Sequence, residues 1–93
     1  MLLVSYDFVA DAPRTRFSKF LKKFGRKLQY SVYEIRNSAR VLQNIQVEVD
    51  LKYKKSFTDA DSIIIIPICE RCKSKIIKYG YAKNDESDIV IFD

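Results

Sequence analysis

The chain opens on Leu2-Leu3-Val4-Ser5-Tyr6, a β-prone run that ends at Asp7, so a first strand is predicted over 2–7. Asp11-Ala12-Pro13 then reads as a helix start, with a capping carboxylate and a proline in the first turn. Phe17, Phe20, Leu21 and Phe24 follow at i, i+3, i+4 and i+7, which is one helical face, with Arg16, Lys19 and Lys23 opposite it. Gly25 reads as the stop. The β-rich stretch from Arg26 to Ile35 is longer than the usual strand of ~5–6 residues, so a bulge or break is predicted near Tyr30. Asn37-Ser38 marks a second helix cap. Beyond it Val41, Leu42, Ile45, Val49 and Tyr53 share one helical face, while Val47 and Leu51 do not. Gln46 to Tyr53 also alternates as a strand would; helix is the reading taken. Lys54 to Asp61 reads as a polar loop, and Ser62 to Ile68 as a strand buried on both faces, with Pro67 at its end or on an edge. Ile76 to Tyr79 before Gly80 reads as a fifth short strand or strand end, and Ile89-Val90-Ile91-Phe92 as a last apolar strand after a turn at 84–88. The order predicts a single α+β domain over 1–93, a ferredoxin-like βαββαβ plan with an additional C-terminal strand.

Composition narrows this little. Ninety-three residues leave no room for a second core, and 47% hydrophobic content with six Tyr and six Phe suits a packed one. The longest apolar run, Ile63 to Cys69, is broken by Pro67, whereas a membrane span needs ~20 residues. The leading Leu2-Leu3-Val4 is followed at once by Ser5, Tyr6 and Asp7, unlike a signal peptide, so a cytoplasmic location without membrane contact is expected. The absence of histidine removes an imidazole base and any histidine-rich metal site. Cys69-x-x-Cys72 has no second pair to complete a zinc site and fits a redox motif only loosely, so incidental or structural thiols are expected. An apolar strand at 89–92 must pair with something, because a free one invites aggregation. Its own sheet and a second subunit's sheet are equally open as the partner.

Charge changes the picture more. The net charge is +5, and residues 1–40 carry nine basic against three acidic side chains. That half is a candidate polyanion surface, though lysines solvating a helix face would look the same. Asp7 ends the first strand, where ligand sites of open α/β sheets tend to lie. Asp7 with Asp11 could hold Mg²⁺, a hard ion that keeps several waters, although a cap is the commoner role for Asp11. Arg14 and Arg16 lie in the first turns of a helix, where cations oppose the macrodipole. Phosphate contact or solvation would account for them. Lys19, Lys22, Lys23, Arg26 and Lys27 extend the same basic run.

Tyr6-Asp7-Phe8, Asp11, Arg14-x-Arg16, Phe20-Leu21-Lys22-Lys23-Phe24-Gly25 and Leu28-Gln29-Tyr30-Ser31-Val32-Tyr33-Glu34 together resemble the small CRISPR-associated Cas2 family. Ser62 to Ile68 and Lys78-Tyr79-Gly80-Tyr81 match its later strands. The sequence departs from the family pattern at Ala10, where an acidic residue is common, and at Lys27, where arginine is common. The resemblance implies a homodimer whose C-terminal strand joins the partner's sheet. It also implies a place in the spacer-acquisition complex, where the dimer bridges dimers of the adaptation integrase and lies along double-stranded DNA. An Mg²⁺-dependent endonuclease acting on single-stranded RNA or double-stranded DNA is implied as well. In that reading Asp7 holds the metal jointly with its copy across the two-fold axis, and Tyr6, Arg14, Arg16, Lys27 and Tyr33 line or support the site, with Tyr6 and Tyr33 counted beside Asp7 as catalytic. Arg14, Arg16, Lys19, Lys23, Arg26 and Lys27 would contact nucleic acid. The scaffold role needs only charge and a dimer, so it is the expected biological role, with nuclease activity secondary. The rival is a stand-alone toxin-type ribonuclease of the same fold; an RNA-recognition sheet would use Tyr30 or Tyr33, but its consensus is missing.

Overall fold

The computed structural model describes residues 1–80; the predicted strand at 89–92 lies outside the described residues. The elements run β1 (Leu2–Asp7), α1 (Asp11–Leu21), β2 (Gly25–Gln29), β3 (Val32–Ile35), α2 (Ala39–Glu48), β4 (Ser62–Pro67) and α3 (Glu70–Lys73). The first six give the βαββαβ order. One antiparallel sheet has strand order β2-β3-β1-β4, the ferredoxin-like arrangement. Strand β1 is central: Leu2 to Ser5 pair with Ile35 to Val32 of β3, and Leu2 to Asp7 pair with Pro67 to Ser62 of β4. The break predicted near Tyr30 is the β2–β3 turn, and register slips between Lys27 and Gln29, where Leu28 bulges.

Alternation along β1 places Leu2, Val4 and Tyr6 on one face, and α1 and α2 cover that face. Phe17 and Leu21 of α1, Ile45 of α2, and Tyr33 and Ile35 of β3 complete the core. Its upper half is aromatic. Tyr6 meets Phe17 edge-on at 5.2 Å between centroids, and Phe17 meets Tyr53 at 5.0 Å. Such pairs add ~0.5–1.5 kcal/mol beyond the area they bury. Helix α2 starts at the expected cap, where the Ser38 hydroxyl accepts from Val41 N at 3.4 Å. It continues through a π-helical turn, Val49–Tyr53, and a short 3-10 turn, Lys54–Ser56, so the helical reading of 46–53 holds. Val49 and Tyr53 face the core and Val47 and Leu51 face outward, as the spacing predicts.

Four expectations are corrected. Ala10, not Asp11, occupies the N-cap of α1, and no side chain caps it. Helix α1 ends at Leu21, because Gly25 is already the first residue of β2; Phe24 packs on the core from the intervening turn. Strand β4 is not buried on both faces. Ile63 and Ile65 pack on the core, but Ile64 is 54% and Ile66 43% exposed, because the two long helices lie on one side of the sheet only. Finally, Ile76 to Tyr79 form no strand; the chain there follows α3 and pairs with none of the four strands.

Gly25 is required by close approach. A Cβ built there would stand 1.9 Å from the Glu34 carbonyl oxygen and 2.9 Å from the Ile35 Cα, both backbone atoms of the paired strand. Gly25→Ala is therefore expected to force β2 away from β3 and to cost at least the ~1–3 kcal/mol of an overpacked site. An unchanged thermal unfolding midpoint for this variant would contradict the packing described.

Candidate functional site

The side chains of Leu3, Ser5 and Asp7 point to the sheet face opposite the core, and their cross-strand neighbours Ile66, Ile64 and Ser62 share it. Val32 and Glu34 of β3 continue the same face. Asp7 is exposed and ends this row. Among the described residues, no hydrogen bond or ion pair engages its carboxylate. That leaves it available as a ligand.

The loop after Asp7 is held from two sides. Asp61 Oδ1 accepts from Val9 N at 2.9 Å, while Oδ2 accepts from Thr58 N at 3.0 Å. Those two amides, Thr58 first, hold the Asp61 carboxyl below the usual aspartate range. From the other side Arg14 Nη2 donates to the Phe8 carbonyl at 2.7 Å and to the Val9 carbonyl at 3.3 Å, and Nη1 pairs with Asp11. The guanidinium in the first turn of α1 is thus explained by loop carbonyls and a neighbouring carboxylate. Tyr6 N donates to the Ser31 carbonyl at 3.1 Å, which brings the Tyr30-Ser31 turn beside the Asp7 end of the sheet. Asp61 escaped the sequence reading. Its only signal was position, an acidic residue directly before the Ile-rich strand that pairs with β1.

Tyr6 and Tyr33 both belong to the buried core, on the face away from Asp7. The Tyr33 hydroxyl shares a 2.6 Å hydrogen bond with Ser18 Oγ, and burial pushes the Tyr6 phenol above its ordinary value. They support the Asp7 strand from beneath.

The basic residues do not form one cluster. Lys19 and Lys23 are exposed, on α1 and just past its end, and Arg16, also exposed, interacts with Tyr53. Arg26 lies at the other end of the sheet, opposite Glu34, whereas Asp7 lies opposite Ser62. There Arg26, Glu34, Arg36 and Lys73 help to line a cavity of about 400 Å³. Lys27 is half-buried on β2, opposite Tyr33. Helix α1 runs back from the Asp7 end, so Lys23, in the turn before β2, lies at the Arg26 end, where Arg36 N donates to the Phe24 carbonyl at 3.5 Å.

Among the described residues, the carboxylate left available to a metal ion at this end of the sheet is that of Asp7. Among the described residues no three acidic, cysteine or histidine side chains come together, and the Asp11 carboxylate is taken by Arg14. Mg²⁺ is nonetheless compatible with this donor set, since it is commonly held by one or two carboxylates, several waters and substrate phosphates. Asp7 fits half of such a site.

The family model for CRISPR associated protein Cas2 matches residues 1–76. This chain belongs to the Cas2 family. A Methanospirillum hungatei protein named CRISPR-associated endoribonuclease Cas2 2 is 31% identical over 91 residues, 97% of each chain. An Archaeoglobus fulgidus protein named CRISPR-associated endoribonuclease Cas2 1 is 40% identical over 78 residues, covering 81% of this chain and 78% of that one. A crystal structure of a hypothetical protein from Thermus thermophilus superposes with a TM-score of 0.61 at 26% identity, over 73% of this chain and 79% of that chain. No helix among the described residues is long and apolar enough to cross a membrane.

Two predictions follow from the held loop. Arg14→Ala is expected to cost about 1 kcal/mol, the low end for charge-assisted bonds because the side chain is partly exposed, whereas Lys19→Ala should stay within ~0.5 kcal/mol. Equal unfolding midpoints would remove the structural role of Arg14. A carboxyl with a depressed folded value stabilises fully above its unfolded value, and that contribution is lost as pH falls through the folded one. The Asp61 carboxyl should accordingly titrate, by NMR, at a lower pH in the folded chain than in an unfolded peptide of the same sequence; coincident midpoints would contradict its two amide bonds.

Proposed function

We propose that this Cas2-family chain acts as a homodimer in CRISPR adaptation, bridging dimers of the adaptation integrase and lying along double-stranded DNA. A phosphodiester-cleaving site of the endoribonuclease type forms where the two Asp7 side chains meet. The observation that carries this reading is the uncovered sheet face. Leu3, Val32, Ile64 and Ile66 form an apolar strip there, and Asp7 stands at its end. Such a strip wants cover, and a second copy presents the same strip; a two-fold contact across it can bring the two carboxylates together. The apolar segment 89–92 then adds as a strand to an edge of the partner's sheet.

Within that dimer each Asp7 offers a carboxylate to a shared Mg²⁺. When bound, the ion supplies positive charge for the phosphate under attack. The remaining work falls to the chain itself. Arg14 and Asp61 fix the loop behind Asp7, and so fix where the carboxylate stands. Tyr6 and Tyr33 brace the strand from the core. Arg16, Lys19 and Lys23 contact phosphates without reading sequence, which suits a scaffold that accepts any incoming duplex. No imidazole is present in the chain to take a proton. Relatives named as endoribonucleases support the cleavage class, and the net charge of +5 supports polyanion binding.

Asp7→Asn separates the two activities. The replacement is nearly isosteric and removes the negative charges that would hold the ion. The variant should remain dimeric by sedimentation, bind duplex DNA with unchanged affinity and salt slope, associate with the integrase and support spacer acquisition. Mg²⁺-dependent cleavage of single-stranded RNA should be abolished. Cleavage that persists at the wild-type rate would remove Asp7 from the site; loss of acquisition by a folded, integrase-bound variant would make cleavage part of the adaptation role.

A further inference from the structure

Strand β4 runs into a short helical turn that carries the cysteine pair, which the proposed function leaves unused. Cys69 has extended backbone, with φ −74° and ψ 166°, and immediately precedes α3. Cys72 lies one turn on. Both side chains are exposed and both thiols are free. Cys69 Sγ accepts from Cys72 N at 3.5 Å, and Lys73 N donates to the Cys69 carbonyl at 2.8 Å, which holds the backbone of the turn. The sulfur of Cys69 thus already rests against the residue that carries the second sulfur. The two thiols also interact with each other directly, side chain to side chain.

We propose that Cys69 and Cys72 form a thiol–disulfide exchange site, in which Cys69 attacks an external small-molecule disulfide and Cys72 resolves the product. The roles follow from the asymmetry of the pair. The Cys72 amide donates to Cys69 Sγ and favours its thiolate, holding that thiol below its ordinary value; the neighbouring Cys69 sulfur pushes the Cys72 thiol up. Lowering a thiol toward ambient pH raises its thiolate fraction faster than it lowers intrinsic nucleophilicity.

The exchange balances in two steps. Cys69 thiolate attacks one sulfur of the external disulfide, forms a mixed disulfide, and releases the other half as a thiolate. Cys72, after losing its proton to solvent, attacks Cys69 Sγ, forms the Cys69–Cys72 bond, and releases the second half as a thiolate. The protein gives up two electrons and two protons, and the external disulfide is reduced to two thiols. The consequence in the fold is local. Helix α3 also carries Lys73, whose ammonium lies 3.7 Å from Glu34 on β3, so oxidation would fix the turn that places this ion pair.

The test uses the full chain, reduced, freed of reductant and incubated with oxidised glutathione. Wild type is expected to lose both free thiols and two hydrogens of mass, to keep no glutathione, and to form no covalent dimer. Cys72→Ser should accumulate one glutathione on Cys69. Cys69→Ser should form its adduct several-fold more slowly, because the thiol it retains is the raised one. Both residues are exposed, and unchanged far-UV circular dichroism checks the two variants. Glutathione retained on both cysteines of wild type, disulfide-linked chains, or equal adduct rates in the two variants would overturn the proposal. The wild-type result decides even where a variant misfolds.

Discussion

Strand β1 is hydrogen-bonded along both edges, so its six side chains must divide between two faces, and that division governs the rest of the molecule. Leu2, Val4 and Tyr6 go to the core and recruit α1 and α2; Leu3, Ser5 and Asp7 go to the face that those helices leave open. A one-residue slip of this strand would bury Asp7 and expose Tyr6. Pairing at both ends forbids the slip: Leu2 is matched to Ile35 and Pro67, and Asp7 to Ser62. The position of the carboxylate is thereby a consequence of sheet register. The loop behind it, held by Arg14 and Asp61, refines that position.

Much of this was legible in the chain. The ends of β1, the α1 face, the turn at Tyr30 and the Ser38 cap all followed from local pattern, because each is set by neighbouring residues. What pattern could not supply was anything decided across the sheet. The isoleucines of β4 read as buried on both faces since an apolar run carries no record of how many layers cover it. Only the placement of both long helices on one side leaves Ile64 and Ile66 uncovered. Gly25 read as a helix stop, yet the glycine is demanded by the Glu34 carbonyl of the next strand.

The candidate site divides the same way. Asp7 was visible as a strand-end carboxylate. The resemblance implied Tyr6 beside Asp7 in the site, and alternation sends these adjacent residues of the strand to opposite faces. Arg14 and Arg16 looked like a matched pair of phosphate ligands. In the fold they separate: Arg14 binds loop carbonyls, while Arg16 stays on the outer surface near Tyr53. The contiguous basic run likewise splits between the Asp7 end and the Arg26–Glu34 end of the sheet. Membership of the Cas2 family rests on whole-chain likeness and does not depend on any one of these assignments.

The central claim is that a second copy covers the open sheet face and so completes the Asp7 site. Sedimentation velocity of the wild-type chain beside an Ile64→Lys, Ile66→Lys variant tests it most directly. Both side chains are about half exposed in the single chain, so lysines are tolerated by the monomer fold, whereas two buried unpaired charges per subunit would be prohibitive in a closed interface. The account predicts a dimer for wild type and a folded monomer for the variant. A monomeric wild type, or a variant that dimerises as wild type does, would contradict it.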